Sequence, residues 1–182
     1  GCNFLAFNQG AKDETHRAWF RDASFRRAVA HALDVDSMIG IVFNGLGIRQ
    51  CSPLSPATPF YFLGGTPCYG YDPARARELL AGLGFRDRDG DGFLEDAAGG
   101  EAEFSLFTNA ENPERVEMAG MIREDLARLG LKVHFLPLEF NSLVVRLTAT
   151  RDWDAILIGL TGEADPHFGA NVWRSQGSLH FW

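Results

Sequence analysis

Lysine is nearly missing from this sequence: Lys12 and Lys132 are the only two among 17 basic residues, set against 24 acidic ones. The bias towards arginine reads as a genomic habit, but the net charge of −7 has a physical meaning. A nucleic-acid surface needs clustered basic residues to displace counterions, and no such cluster occurs here. Long apolar runs are missing too, none approaching the roughly 20 residues that span a bilayer. Cysteine is scarce: Cys2, Cys51 and Cys68 lie in no CxxC or Cys/His spacing that would hold a metal. No GxSxG, HExxH, Walker loop or GxGxxG is present, so the common nucleophile, zinc, phosphate and dinucleotide motifs are excluded. The five histidines, His16, His31, His134, His167 and His180, are scattered through different segments. No enzyme is expected. The one catalytic alternative is an acid–base pair of His167 with Asp165, as in a hydrolase.

What remains is an ordinary globular composition, 46% hydrophobic and 23% charged, over 182 residues. That length suits one domain, or one large lobe of a longer protein. Gly1-Cys2 looks like the end of a lipoprotein cleavage site, yet NFLAFN directly after it reads as a strand. The abrupt start and the stop at Phe181-Trp182 raise the expectation of a piece of a longer chain.

Apolar spacing predicts a strand over Asn3 to Phe7 and a helix after Ser24, taken as its N-cap, with Phe25, Ala28, Val29, Ala32 and Leu33 on one face. A second helical piece runs from Asp34 to Phe43, stopped by Asn44-Gly45. From Leu46 to Tyr71 the chain is rich in proline and glycine, an ordered loop in which Phe60, Tyr61, Phe62 and Tyr69 should find packing partners. Cys51 and Cys68 bracket it, either paired in an oxidising compartment or left as free thiols. Asp72-Pro73 opens a short helix closed by Gly84. Further on come a strand at about Glu103 to Thr108, a helix from Pro113 to Leu129 ended by Gly130, a strand from Leu131 to Leu138, a helix over Asn141 to Thr148 and the apolar strand Ala155 to Leu160. Strand, helix, strand, helix, strand implies two βαβ crossovers, hence an α/β lobe with a largely parallel sheet flanked by helices.

Two places carry candidate chemistry. In parallel sheets ligands sit beyond the carboxyl ends of the strands, here Thr108-Asn109, Leu138-Glu139 and Thr161 to Pro166. Glu163 and Asp165 would there meet an ammonium or guanidinium group, or Asp165-Pro166 would merely shape the turn with Glu163 solvated. The second place is DRDGDGFLED, with five acids in ten residues. Asp87, Asp89 and Asp91 followed by Gly92 match the first half of a calcium loop, with Glu95 at position 9 and Asp96 able to bend back. Position 12, the bidentate Glu of an EF-hand, falls on Ala98. A structural calcium held by Asp87, Asp89, Asp91 and Glu95 is one expectation, a solvated acidic turn the other.

The order LAFNQG, FRDASFRRAVAHALDVDSMIGIVFNGLG, YDPARARELLAGLGFRDRDGDGFLED and WDAILIGLTGEADP resembles the family 5 extracellular solute-binding proteins of ABC transporters, which include dipeptide, oligopeptide and nickel binders. The resemblance covers nearly the whole chain. It implies one lobe, the C-terminal one over residues 1–182, of a periplasmic-binding-protein-like (type II) receptor that closes on its ligand. It further implies a peptide or similar small solute as ligand and a membrane permease as partner. A periplasmic or extracellular place follows, with a lipid anchor conceivable on the whole protein, as do a monomeric state and no required cofactor. Family peptide binders hold the ligand's amino group with an Asp in the turn after the WDA-type strand. That turn is like TGDNGDP in the dipeptide binders and is one residue shorter here, TGEADP. Glu163 matches the anchoring Asp, Asp165 matches the Asp before proline, and Asn8, in the strand-end FN pattern, is a further ligand candidate near the hinge. The same fold also serves as a ligand-sensing domain in some transcription regulators, the alternative assignment. Similar acidic loops in related sequences lie away from the cleft, which makes calcium there a clip rather than the function.

Overall fold

A computed structural model describes residues 1–52, 54, 56, 60–62, 64–161 and 165–182. Its sheet holds β1 (Cys2–Phe7), β2 (Glu103–Asn109), β3 (Lys132–Leu138) and β4 (Ala155–Leu160) in the order β1-β4-β2-β3. β2 pairs in parallel with β3 and β4, while β1 runs antiparallel along β4, from Cys2 opposite Leu160 to Phe7 opposite Ala155. Two of three interfaces are parallel, as the crossovers require, and the antiparallel strand closes one edge.

Alternation along the strands sends side chains to both faces. On one face Phe104 and Leu106 of β2, with Ala155 and Leu157 of β4, join the main core. On the other Phe107, Ile156 and Ile158 pack with Leu143, Leu147, Trp153 and Phe181. The main core is covered by α1 (Glu14–Arg21), α2 (Ala23–Ala32), α3 (Val35–Val42), α4 (Pro73–Gly82) and α5 (Pro113–Leu129). Its centre is aromatic: Phe7 stacks on Phe20 at 5.0 Å between ring centroids and meets Phe25 and Phe104 edge-on, both at 5.7 Å. Truncating a ring in such a cluster typically costs about 3–5 kcal/mol.

α5 follows its sequence signals closely. Asn112 caps its start by accepting from the Arg115 N–H at 2.8 Å, Pro113 fills the first turn, and Gly130 ends it at φ 93°. That left-handed turn favours glycine, and an added Cβ there would also strike the Leu94 side chain at 2.8 Å. Buried Asp125, on the same helix, accepts from the Asp34 N–H at 3.0 Å and pairs with Arg128, tying α3 to α5.

Several expectations are corrected. The cap of α2 is Asp22, not Ser24: its carboxylate accepts from the Ser24 N–H at 2.6 Å, one residue after α1 ends. α1 itself was not anticipated, because its eight residues are mostly polar and bury only the adjacent Trp19 and Phe20. The helix expected over Asn141 to Thr148 divides into α6 (Phe140–Val145) and a wider turn over Arg146–Thr150. In the proline-rich loop the aromatics do not all find a core, since Phe60 is 90% exposed and packs edge-on against Tyr61. Tyr69 leans on His31 at 5.4 Å. Cys51 and Cys68 are joined as a disulfide, their Cα atoms 5.2 Å apart, which resolves that alternative in favour of pairing. Pro166–Gly169 and α7 (Ala170–Trp173) give short helical turns to the segment after β4.

Candidate ligand-binding site

The carboxyl ends of β2, β3 and β4 lie together, and an arginine, two asparagines and several carboxylates gather there. Thr108 Oγ1, fully buried, donates to the Leu157 carbonyl at 2.8 Å and locks β2 to β4. The next residue, Asn109, is 7% exposed. Its Oδ1 accepts from Arg115 Nη1 at 2.8 Å, and Arg115 Nε donates to Asn3 Oδ1 at 2.9 Å. Burial pushes the Arg115 guanidinium below its usual range, with Glu114 acting in the other direction. It stays charged all the same, since an arginine starts so far above neutral pH.

Nearby carboxylates are committed to the backbone. Glu139 caps α6, accepting from Asn141 N–H and Ser142 N–H, each at 3.0 Å, and these bonds hold its carboxyl below the ordinary range. Glu111 accepts from the Phe140 N–H at 2.9 Å. Asp165 is exposed and accepts from the His167 N–H at 2.9 Å, capping the turn that follows. Its bond to His167 is therefore made to the backbone rather than as a catalytic ring pair. Glu163 lies outside the described residues. The segment after β4 lines a cavity of about 630 Å³ with His167, Asn171, Arg174, Gln176 and Ser178, within the size range of small-molecule sites.

Asn8 is elsewhere. Because β1 runs antiparallel to β4, its end falls at the amino end of β4. There Asn8 Nδ2 donates to the carbonyls of Trp153 at 2.8 Å and Arg151 at 3.3 Å, while its Oδ1 accepts from the Gly10 N–H at 3.0 Å. Buried and fully engaged, it is a joint between loops, at the opposite end of the sheet from Asp165. Beside it His16 Nδ1 meets Asp154 Oδ1 at 2.9 Å, and Asp154 Oδ2 accepts from the Ser105 N–H at 2.9 Å. The hydrogen bond to Asp154 raises the His16 pKa against the opposing effect of burial.

The acidic loop also sits at that amino end. Leu94 N–H donates to Gly130 O at 2.8 Å and Ala102 N–H to Leu94 O at 2.7 Å, which places the loop over the end of α5 and the start of β2. Asp87, Asp89 and Glu95 bring carboxylate oxygens within 4.8 Å of one another. Asp91 does not join them, its Oδ1 accepting from the Phe93 N–H at 2.7 Å. Asp96 bends towards Ala98 and Gly100 instead, accepting from both N–H groups. Hard oxygen donors fit calcium by type, but three carboxylates fall short of the six to eight oxygens it takes, so backbone carbonyls or water would have to supply the rest.

The chain is thus a mixed α/β lobe whose parallel strands end together at a polar edge, with helices packed on both faces. The model of the bacterial extracellular solute-binding proteins, family 5, matches residues 1–179, and the chain belongs to that family. It is 32% identical over 182 residues to a probable ABC transporter-binding protein of Deinococcus radiodurans, covering 96% of this chain and 31% of that one. The oligopeptide-binding protein AppA of Bacillus subtilis is 32% identical over 142 residues, covering 77% and 26%. Its solved structure, in complex with a nonapeptide, superimposes with a TM-score of 0.81 at 30% identity, over 90% of this chain and 32% of AppA. The heme-binding protein A of Haemophilus influenzae is 30% identical over 133 residues, covering 72% and 21%. The chain thus spans about a third or less of the length of these relatives.

Proposed function

We propose that residues 1–182 form a single α/β lobe of the substrate-binding component of an ABC importer. In this reading the lobe contributes one wall of a cleft at the carboxyl end of the sheet, closing there on a peptide or a similar small solute. The observation that carries the reading is the family match along residues 1–179, combined with a polar strand end in the place where parallel sheets hold ligands. Glu163 and Asp165 are the proposed anchors for a ligand ammonium. Asn8, spent on its own backbone, is not among them. The protein is proposed to act without catalysis, as a monomer in the periplasm or outside the cell, where a lipid anchor on the whole protein would hold it near its permease. The relatives described above are binding proteins, and none is a transcription regulator.

The test is native mass spectrometry of the gently purified full-length protein. A bound peptide-sized mass that disappears in Glu163→Ala supports peptide import through this turn. A different mass, indifferent to that change, keeps the transport reading and removes the peptide. No bound mass, with no gain in melting temperature from any small-solute panel, counts against a binding role.

We further propose that calcium clips the acidic loop through Asp87, Asp89 and Glu95, aided by backbone oxygens. Extracellular calcium at roughly millimolar levels would fill even a weak site of this kind.

A further inference from the structure

The seam between β2 and β4 is short: Leu106 stands opposite Ala155 and Phe107 opposite Ile156, and the register goes no further. Side chains extend it at both ends. At one end Thr108 Oγ1 donates to the Leu157 carbonyl at 2.8 Å, and at the other Asp154 Oδ2 accepts from the Ser105 N–H at 2.9 Å. The Asp154 carbonyl also accepts from the Asn8 N–H at 2.8 Å, so this residue joins the end of β1 to β2 and β4. Its remaining carboxylate oxygen, Oδ1, meets His16 Nδ1 at 2.9 Å, and both side chains are half-buried. His16 belongs to α1, whose buried side chains are only Trp19 and Phe20. The other polar ties of that helix are local: Arg17 donates to the Ala11 carbonyl and Arg21 to the Gln9 carbonyl, both in the segment leading into it. His16 carries the polar tie from α1 to the sheet.

The surroundings of the ring suit its cation. The Asp154 carboxylate favours the charged form most, Asp13 at the helix cap and the Glu103 main chain on β2 act the same way, and burial opposes them. The rings of Trp19 and Phe20 lie 5.2 and 5.7 Å from it, where an aromatic face attracts a cation. Neighbouring cations are engaged elsewhere: Arg17 with the Ala11 carbonyl and Glu14, Arg26 of α2 with the Phe20 carbonyl, Lys132 and His134 of β3 with the Glu103 carboxylate. Asp22 is spent on capping α2. Losing the proton turns a charge-assisted bond into a weaker one and leaves the sheltered Asp154 carboxylate without its counter-charge. We infer that His16 is an acid-set latch: its imidazolium fastens α1 across the seam of β2 and β4, and the helix loosens when the ring loses its proton. The folded pKa is raised above the model value of 6.5, so the latch is closed below that value and opens as pH rises through the folded one. It sits at the end of the sheet away from Asp165, so it governs the rigidity of the lobe and not the chemistry of the proposed cleft.

The experiment is hydrogen exchange read by mass spectrometry on the full-length protein, at about pH 5.5 and about pH 8.5, with rates corrected for the intrinsic effect of pH on exchange. The expected result is that the amides of α1 lose about tenfold in protection at the higher pH while those of α5 keep theirs. His16→Gln should show the low protection at both pH values, and His134→Gln should behave as the wild type. Equal protection of α1 at the two pH values in the wild type overturns the inference. So does a loss shared equally by α5, which marks general unfolding, or a pH dependence that survives in His16→Gln or vanishes in His134→Gln. If His16→Gln does not fold, a proton NMR titration of the wild-type ring decides. Titration above 6.5 in step with the loss of α1 protection upholds the latch, and titration at or below 6.5, or out of step with that loss, discards it.

Discussion

The two ends of the sheet use polar residues in opposite ways. At the amino end of β4, Asn8, His16 and Asp154 satisfy one another and the surrounding backbone. At the carboxyl end, Arg115 and Asn109 retain donors that the described residues do not use. Buried polar groups are costly unless paired, so side chains bonded mainly to neighbouring backbone, as Asn8 is, read as a device for holding loops together, although Trp153 Nε1 beside them has no partner among the described residues. A cluster left part-paired at an open strand end has donors to spare for solvent or a solute. The contrast teaches that burial of a polar residue says little about its role until its partners are counted.

The comparison breaks most readily at Asn8. Asn8→Ala removes two donors and an acceptor and leaves the Trp153 carbonyl short of a partner, for a loss on the order of 2 kcal/mol. Urea unfolding should show that loss while solute affinity is unchanged; a large affinity loss at unchanged stability would move Asn8 into the cleft. At the other end, Gly159→Ala should show the reverse bias. Its added methyl displaces Arg115 at the proposed cleft, and solute affinity should fall about tenfold, about 1.4 kcal/mol, in calorimetry. Overpacking adds a stability cost of roughly 1–3 kcal/mol, so affinity must be read below the unfolding transition.

A gentler probe is pH. The folded pKa of His16 lies above its unfolded value of about 6.5, chiefly through Asp154. The pair therefore stabilises fully below the unfolded pKa and loses that contribution as pH rises through the folded one. Urea midpoints of the wild type and His16→Gln should differ most below pH 6.5 and draw together as pH rises through the folded pKa. A gap that stays constant with pH would mean that His16 acts by packing alone. The smallest effect is expected at the acidic loop, where calcium should raise the melting temperature by a few degrees over EDTA. Asp89→Ala should cancel that rise, and Asp91→Ala should leave it, since Asp91 stands apart from the three converging carboxylates.

Much of this was legible beforehand where local signals agreed. α5 runs over Pro113–Leu129 and β4 over Ala155–Leu160, as their spacing indicated. Asn112, Pro113 and Gly130 mark the helix ends by chemistry that acts within a few residues. α1 escaped notice because its eight residues are mostly polar and its two buried side chains, Trp19 and Phe20, are adjacent. Asn8 was a candidate through the strand-end FN pattern alone, and only the antiparallel direction of β1 shows that it stands at the opposite end of the sheet from Asp165. Asp91 has the spacing of a cation loop with Asp87 and Asp89, but it lies outside the group of converging carboxylates, Asp87, Asp89 and Glu95, although all four accept from backbone N–H groups of the loop.

The sequence by itself determined the family, the crossover connections and the elements with strong apolar periods, because those depend on order and spacing along the chain. Tertiary structure alone decided which strand end each polar residue reached. It turned β1 against β4, joined Cys51 to Cys68 and set Gly159 beneath Arg115, a residue 44 positions away in the chain. The reason is physical: spacing along a chain carries the period of a helix or strand, but not the approach of two segments that meet only after the core has closed.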